Sequence, residues 1–301
     1  MGRYFRQIGY FRHNRHRVLV GLVVVGLVAC ARAQTPPAAT DSAALLAKAL
    51  RQLPQAEYWS ADFRQYWQQG GILAEVEGSY AVGPARRARI EIRLRLADIQ
   101  GQLRIYCDGQ NIWRQEQIGD GEARIVRYTA AELEQAISEA NLSQAEARQV
   151  HEAIWAEFGY QSLRGRLREL ANRFQWGPPQ ASQLPDGRLA WLLEGTWNEK
   201  TLQEAFRGQL PEAAEVPRRC RLYLLRQDCW WGGDSLWPAR IEWLGLPRGE
   251  KEEKVLASLD WHSPRRLQKD EFQSPFTAEQ MHNAANGDAA SLVREMVQRL
   301  R

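Results

Sequence analysis

From Arg89 to Leu96 the chain reads R-I-E-I-R-L-R-L, and apolar and charged residues alternate throughout. Ile90, Ile92, Leu94 and Leu96 fall on one side of a strand. Arg89, Glu91, Arg93 and Arg95 fall on the other. A period of two predicts a sheet with one dry face and one wet face, which favours antiparallel pairing. The same alternation predicts strands over 59–68, 73–82, 87–96 and 101–107, with the Asp108-Gly109 turn leading into a strand over 110–117. Either Ile112 or Trp113 faces inward there. A further strand follows at 123–128. This β-meander is preceded by a helix over 41–53, with Leu46, Leu50 and Leu53 on one stripe, which Pro54 ends.

The period then changes. Thr129-x-x-Glu132 and Ser143-x-x-Glu146 are capping boxes that open two helices. The second carries Val150, Ile154 and Phe158. A third stripe runs through Leu163, Leu167, Leu170 and Phe174 until Gly177-Pro178-Pro179 stops it. A helical block between two β blocks is placed most economically as a lid over the sheet. Strands resume at 188–197, 220–226, 239–244 and 255–261. A short helix is expected over 198–208 and a terminal helix over 288–301.

The N-terminus changes the charge balance. The 301 residues carry 40 basic and 36 acidic side chains. Six arginines (Arg3, Arg6, Arg12, Arg15, Arg17, Arg32) lie within the first 33 residues, which hold no acid, so 34 basic (40 − 6) against 36 acidic residues remain beyond them. That balance gives no global attraction to nucleic acid. The basic stretch followed by apolar Val18 to Ala29 predicts a signal segment, too short to span a bilayer. Cleavage after Ala31-Arg32-Ala33 leaves Gln34 first, whereas the lipobox-like Leu27-Val28-Ala29-Cys30 makes Cys30 a lipidation candidate. Residues 34–40 read as a tether. Three cysteines remain. Either Cys220 pairs with Cys229, or all three, Cys107 included, are free and buried.

Catalytic chemistry finds no support. His151, His262 and His282 lie on separate elements, and no nucleophile elbow, P-loop, C-x-x-C or metal-ligand spacing occurs. Glu75 and Glu77 share the outward face of one strand. We expect no enzyme, no cofactor and no metal. The basic stripe of Arg87, Arg89, Arg93 and Arg95 is either a solvated face that blocks edge aggregation or a surface for headgroups or an acidic partner. The 12 tryptophans say more. Trp113, Trp191, Trp197, Trp243 and Trp261 lie in predicted strands, and Trp230, Trp231 and Trp237 crowd one predicted loop. Core packing accounts for most of them; the remainder point to an apolar pocket.

The order of short motifs resembles one family. After the leading helix come Phe63-Arg64-Gln65, Gly78-Ser79-Tyr80, Gly83-Pro84 and Asp108-Gly109-Gln110-Asn111-Ile112-Trp113. Leu236-Trp237-Pro238-Ala239-Arg240-Ile241-Glu242 and Phe272-Gln273-Ser274-Pro275 follow near the end. This series is similar to that of the periplasmic lipoprotein-carrier (LolA-like) proteins, over about 41–128 and 218–281. Two departures mark a divergent relative. Gly83 stands where those carriers place a basic residue tied to lid control, and the block from about 141 to 216 is longer.

The resemblance implies an α+β fold: an open antiparallel β half-barrel over 41–281, with a helical insertion around 129–175 and a C-terminal helix over 286–301. Helices would cover the concave apolar face. Acyl chains of a lipid or lipoprotein would bind there against Ile90, Ile92, Leu94, Leu96, Trp113, Trp191, Leu222, Leu224, Ile241, Trp243, Leu259 and Trp261. The protein would be periplasmic or outer-membrane-associated, with an envelope membrane surface or envelope protein as a further partner. The competing expectation is a secreted Trp-rich scaffold with a filled core, recognising a glycan or an envelope protein.

Overall fold

The computed structural model describes residues 40–53, 57–69, 72–160, 162–205, 217–229, 232–246 and 252–300. The expected signal segment, Cys30, Trp230 and Trp231 lie outside them.

Thirteen strands form one sheet. They are β1 (Trp59–Gln69), β2 (Ile72–Gly83), β3 (Arg87–Leu96), β4 (Ile99–Asp108), β5 (Asn111–Ile118), β6 (Arg124–Thr129), β7 (Phe174–Trp176), β8 (Gln180–Gln183), β9 (Leu189–Trp197), β10 (Arg219–Cys229), β11 (Gly232–Gly245), β12 (Lys254–Arg266) and β13 (Ala285–Asn286). The spatial order is β13-β6-β5-β4-β3-β2-β1-β12-β11-β10-β9-β7, with β8 also on β9. Every pairing is antiparallel except β13 on β6. The two ends do not meet, so the architecture is the expected open antiparallel half-barrel of the α+β class.

The helices are α1 (Thr40–Gln52), α2 (Ala130–Glu139), α3 (Gln144–Glu157), α4 (Ser162–Arg173), α5 (Glu199–Ala205), α6 (Ala278–His282) and α7 (Ala289–Leu300). Both expected capping boxes form. The Thr129 and Ser143 hydroxyls accept from the backbone N–H groups of Glu132 and Glu146, whose carboxylates reach back to the capping N–H groups. Phe174 belongs to β7 rather than to the helix before it. Three-residue β7 and four-residue β8 are too short to show a period.

One face of the sheet is dry. Ile90, Ile92, Leu94 and Leu96 are at most 6% exposed, and they join one core with residues from α1, α2, α3, α4 and α7. The chain leaves α3 at Gly159 (φ +90°), where an added Cβ would stand 2.4 Å from Ile90 Cδ1. A helical connection and strand β3 thus meet almost backbone to side chain. Gly159→Ala combines a left-handed backbone with that clash and should destabilise by at least about 1–2 kcal/mol, read as a lower denaturation midpoint at unchanged m-value.

The other face is not uniformly wet. Leu267 and Phe272 pack on Ala81 with Tyr58 and Tyr106. Phe272 lies 5.3 Å from the Tyr58 ring and 6.0 Å from the Tyr106 ring. The Phe272-Gln273-Ser274-Pro275 motif therefore straps the outer face, and Gln273 O accepts from Arg89 Nη1 at 3.1 Å. Farther along, alternating charges lock strands together. Arg240 holds Asp260 and Glu242 at 3.0 and 2.7 Å, and Arg221 holds Glu194 at 2.7 Å.

The Cys220–Cys229 alternative is corrected. Cys220 is a free, buried thiol, as is Cys107. Cys220 pairs across with Trp243 and Cys229 with Gly232, at opposite ends of one strand. Nine residues of strand separate them by roughly 30 Å, beyond the reach of any disulfide. Burial pushes the Cys107 thiol up to about 11 and Cys220 well above its ordinary value, so both are protonated and unreactive at neutral pH.

Candidate functional site

Strand pairing sorts the expected lining residues. Ile90, Ile92, Leu94, Leu96, Leu222, Leu224, Ile241, Trp243, Leu259 and Trp261 are all buried in the core on the covered face, and Trp191 packs against it partly exposed. Trp113 does not join them. Ile112 pairs with Cys107 and points inward, while Trp113 pairs with Tyr106 on the opposite face. Trp113 stacks on Tyr106 at 5.8 Å, and its Nε1 donates to Met281 O at 3.3 Å. Its part in the motif is to anchor the segment around α6. The residue beside it, Ile112, takes the inward position.

The centre of the covered face is occupied by aromatics, of which the expected lining set included Trp261 but not Trp59, Phe63, Tyr80 or Trp237. Trp59 meets Tyr80 and Trp237 edge-on at 5.5 and 5.8 Å. Trp261 meets Phe63 and Tyr80 at 5.2 and 5.8 Å. Trp237 is fully buried within β11, not in a loop, and its Nε1 donates to Trp261 O at 3.4 Å. The indole N–H groups of Trp59, Trp176, Trp197 and Trp261 are buried without an acceptor among the described residues. A buried donor left unpaired costs about 1–3 kcal/mol. Four of them on one apolar face make it a surface short of oxygen atoms.

Helix α4 brings charge to the same face. The Arg166 guanidinium lies 5.9 Å from the centre of the Trp243 ring, and that of Arg173 lies 5.6 Å from Trp197. Arg173 also binds Glu169 at 2.8 Å. Desolvation lowers the Arg166 pKa and raises that of Glu169. The sequence does not single out these charges, because S-L-R-G-R-L-R-E-L-A-N-R reads as an ordinary charged helix.

A third cluster ties the first hairpin turn to the helices. Ala85 and Arg86 adopt left-handed φ of 55° and 62° between β2 and β3. Arg86 donates to Glu134 Oε1 at 3.0 Å and stacks on Trp155 at 4.5 Å. His151 Nε2 lies 2.9 Å from the same Glu134 oxygen and 3.1 Å from Trp155 Nε1. Gly83 lacks the basic side chain that the family pattern places at this turn, and Arg86, three positions later, puts a cation against α2 and α3.

The outer face carries a groove of about 430 Å³ lined by Glu75, Glu77, Arg93, Arg95, Gln100 and Gln102 among others. Its charges largely answer one another: Arg64 holds Glu77 at 2.6 Å and Arg95 approaches Glu75 at 3.8 Å. Arg87 and Arg89, the rest of the basic stripe, bind Tyr58 and Gln273. His151, His262 and His282 sit on α3, β12 and α6. Among the described residues no three potential ligand side chains gather to hold a metal ion, and no helix is long and apolar enough to cross a membrane.

No family model and no curated protein matches the sequence. The fold is similar to several solved structures. A LolA superfamily protein from Nitrosomonas europaea is 10% identical, with 79% of this chain and 100% of that one covered at a TM-score of 0.28. LprF from Mycobacterium bovis is 9% identical, with 74% and 91% covered at 0.31. A putative outer membrane lipoprotein-sorting protein domain from Vibrio parahaemolyticus is 9% identical, with 76% and 95% covered at 0.24. Identities and scores this low carry no inference about function. The fold assignment rests on the strand pairing itself, and the structures it resembles include LolA-superfamily proteins.

Proposed function

We propose that this protein is an exported binding protein of the cell envelope that holds acyl chains of a lipid or lipoprotein between its sheet and its helices, and that it catalyses no reaction. The observation that supports this reading is the covered face. It is a continuous apolar surface of an unclosed sheet, roofed by helices rather than by a second sheet, and it holds four indole N–H groups without acceptors among the described residues. Alkyl chains match the surface, and carbonyl or ester oxygens match the donors. The basic, then apolar N-terminus supports export, with Cys30 or Gln34 as the first mature residue.

One observation favours a second reading. The aromatic cluster of Trp59, Phe63, Tyr80, Trp237 and Trp261 fills the centre of the face, as a scaffold with a permanently packed core would.

Titration with a fluorescent fatty acid, following tryptophan emission, decides between them. Leu94 is 4% exposed on the covered face and Arg93 is exposed on the outer one. In a carrier, the face opens and hydrates, so Leu94→Glu folds and loses acyl affinity. In a packed scaffold the buried, unpartnered carboxylate costs several kcal/mol and the fold fails. Arg93→Glu should leave affinity within about twofold, since surface changes are worth under about 0.5 kcal/mol. A wild-type protein that takes up no acyl chain, or equal weakening by both variants, would reject the carrier reading.

A further inference from the structure

One strip of the covered face differs from the rest. Trp243 on β11 pairs with Cys220 on β10, Cys220 with Gly195 on β9, and Gly195 with Trp176 on β7. The row therefore runs indole, thiol, hydrogen, indole, with two small side chains between two large ones. Trp197, two residues beyond Gly195, shares its face. Helix α4 lies over this strip, and Arg166 and Arg173, seven residues apart, come down on Trp243 and Trp197.

The chemistry of the strip is lopsided. Arg173 has Glu169 as a partner. The Arg166 guanidinium has the Trp243 ring and, among the described residues, neither a hydrogen bond nor an ion pair. Trp176 Nε1 and Trp197 Nε1 are buried donors without acceptors among the described residues. The strip thus carries two guanidinium groups and two indole N–H groups, and Glu169 is the carboxylate that the described residues pair with either arginine. A guanidinium has a fork of donors that fits two oxygens of one carboxylate or phosphate. At 5.9 Å from the ring centre the Arg166 cation is within range of the indole face, which attracts it without using its donors.

We propose that the strip between α4 and strands β7, β9, β10 and β11 binds the anionic head, a carboxylate or phosphate, of the amphiphile whose chain lies on the covered face, with Arg166 as the principal ligand and Trp176 and Trp197 as flanking donors. The proposal rests on the acyl-binding reading and adds to it a head-group class and a polarity. The charged end goes under α4, and the chain runs toward Leu222, Ile241 and Leu259.

The test compares palmitate with methyl palmitate, which share a chain and differ in charge. Wild-type protein should bind palmitate at least about tenfold more tightly, as expected for hydrogen bonds to a charged group. Arg166→Met should reduce that preference to within about twofold while leaving methyl palmitate affinity unchanged, and Arg166→Lys should restore part of it. Trp197→Phe keeps a smaller aromatic ring and removes the N–H, so it tests the site even if Arg166→Met misfolds: both ligands feel the lost ring area, and palmitate should weaken more than the ester, because a donor to a charged carboxylate is worth more than one to a neutral carbonyl. Displacement of palmitate by dispersed phosphatidylglycerol but not by diacylglycerol assigns a phosphate head. Failure of both to displace assigns a carboxylate. Equal binding of palmitate and its ester by the wild type overturns the anion site and leaves acyl binding standing. Binding of neither overturns both.

Discussion

Glu157→Ala should lower the stability of the protein by about 3–5 kcal/mol, the range for removing one partner from a buried ion pair. Glu157 ends α3, and its side chain is only 2% exposed. Oε1 accepts from Arg114 Nη1 of β5 at 3.4 Å, and Oε2 accepts from Arg299 Nη1 of α7 at 2.8 Å. One carboxylate therefore joins the sheet, the helical cover and the last helix. Arg114, whose side chain is 11% exposed, also pairs with Glu116, and Arg299 also pairs with Glu295. Neither of those glutamates links two elements of the cover. The midpoint of urea unfolding should fall at unchanged m-value, and melting should drop on the order of 10 °C for a domain of this size. Because the substitution takes one carboxylate away from two guanidinium groups, Arg114→Met in the Glu157→Ala background should recover part of the loss. Additive losses in the double variant would mean that packing, not charge, carries the effect.

How much of this was readable in advance depends on scale. The long strands and helices were legible because their side chains obey a period over eight or more residues. The eight-residue run at 89–96 became β3 with its apolar side inward at every position. The capping boxes were legible because Thr129 and Ser143 act on residues three positions away. Short elements were not. β7 and β8 owe their strand form to the neighbouring β9, and nothing within three or four residues encodes a partner. Facing was ambiguous where both candidates were apolar. Ile112 and Trp113 differ by one position, and the cross-strand register with Cys107 and Tyr106 decides between them. The strip under α4 was unreadable for a related reason. Arg166 and Trp243 are 77 positions apart, and Trp243, Cys220, Gly195 and Trp176 form a row only once four strands are in register.

Trp237→Ala should show whether the middle of the covered face is a packed core or a closed binding surface. Trp237 is fully buried, touches Trp59 edge-on and reaches Trp261 O through its indole nitrogen. In a rigidly packed core, truncating such a side chain costs about 3–5 kcal/mol, because the transfer free energy is lost and a cavity stays behind. The lost donor also leaves the Trp261 carbonyl short of one partner. If instead the helices roof a surface that opens for acyl chains, the same truncation enlarges the space a chain can enter. The variant should then be destabilised when empty and regain much of its melting temperature in saturating palmitate, since a ligand at a hundred times its Kd stabilises by about 2.7 kcal/mol. Thermal unfolding with and without palmitate measures both at once. A variant that melts early and gains nothing from palmitate, in a protein whose wild type also gains nothing, would identify the aromatic cluster as permanent filling. A variant whose gain exceeds that of the wild type would place the acyl chain beside Trp59 and Trp261, where the unpaired indole N–H groups lie within the same aromatic cluster.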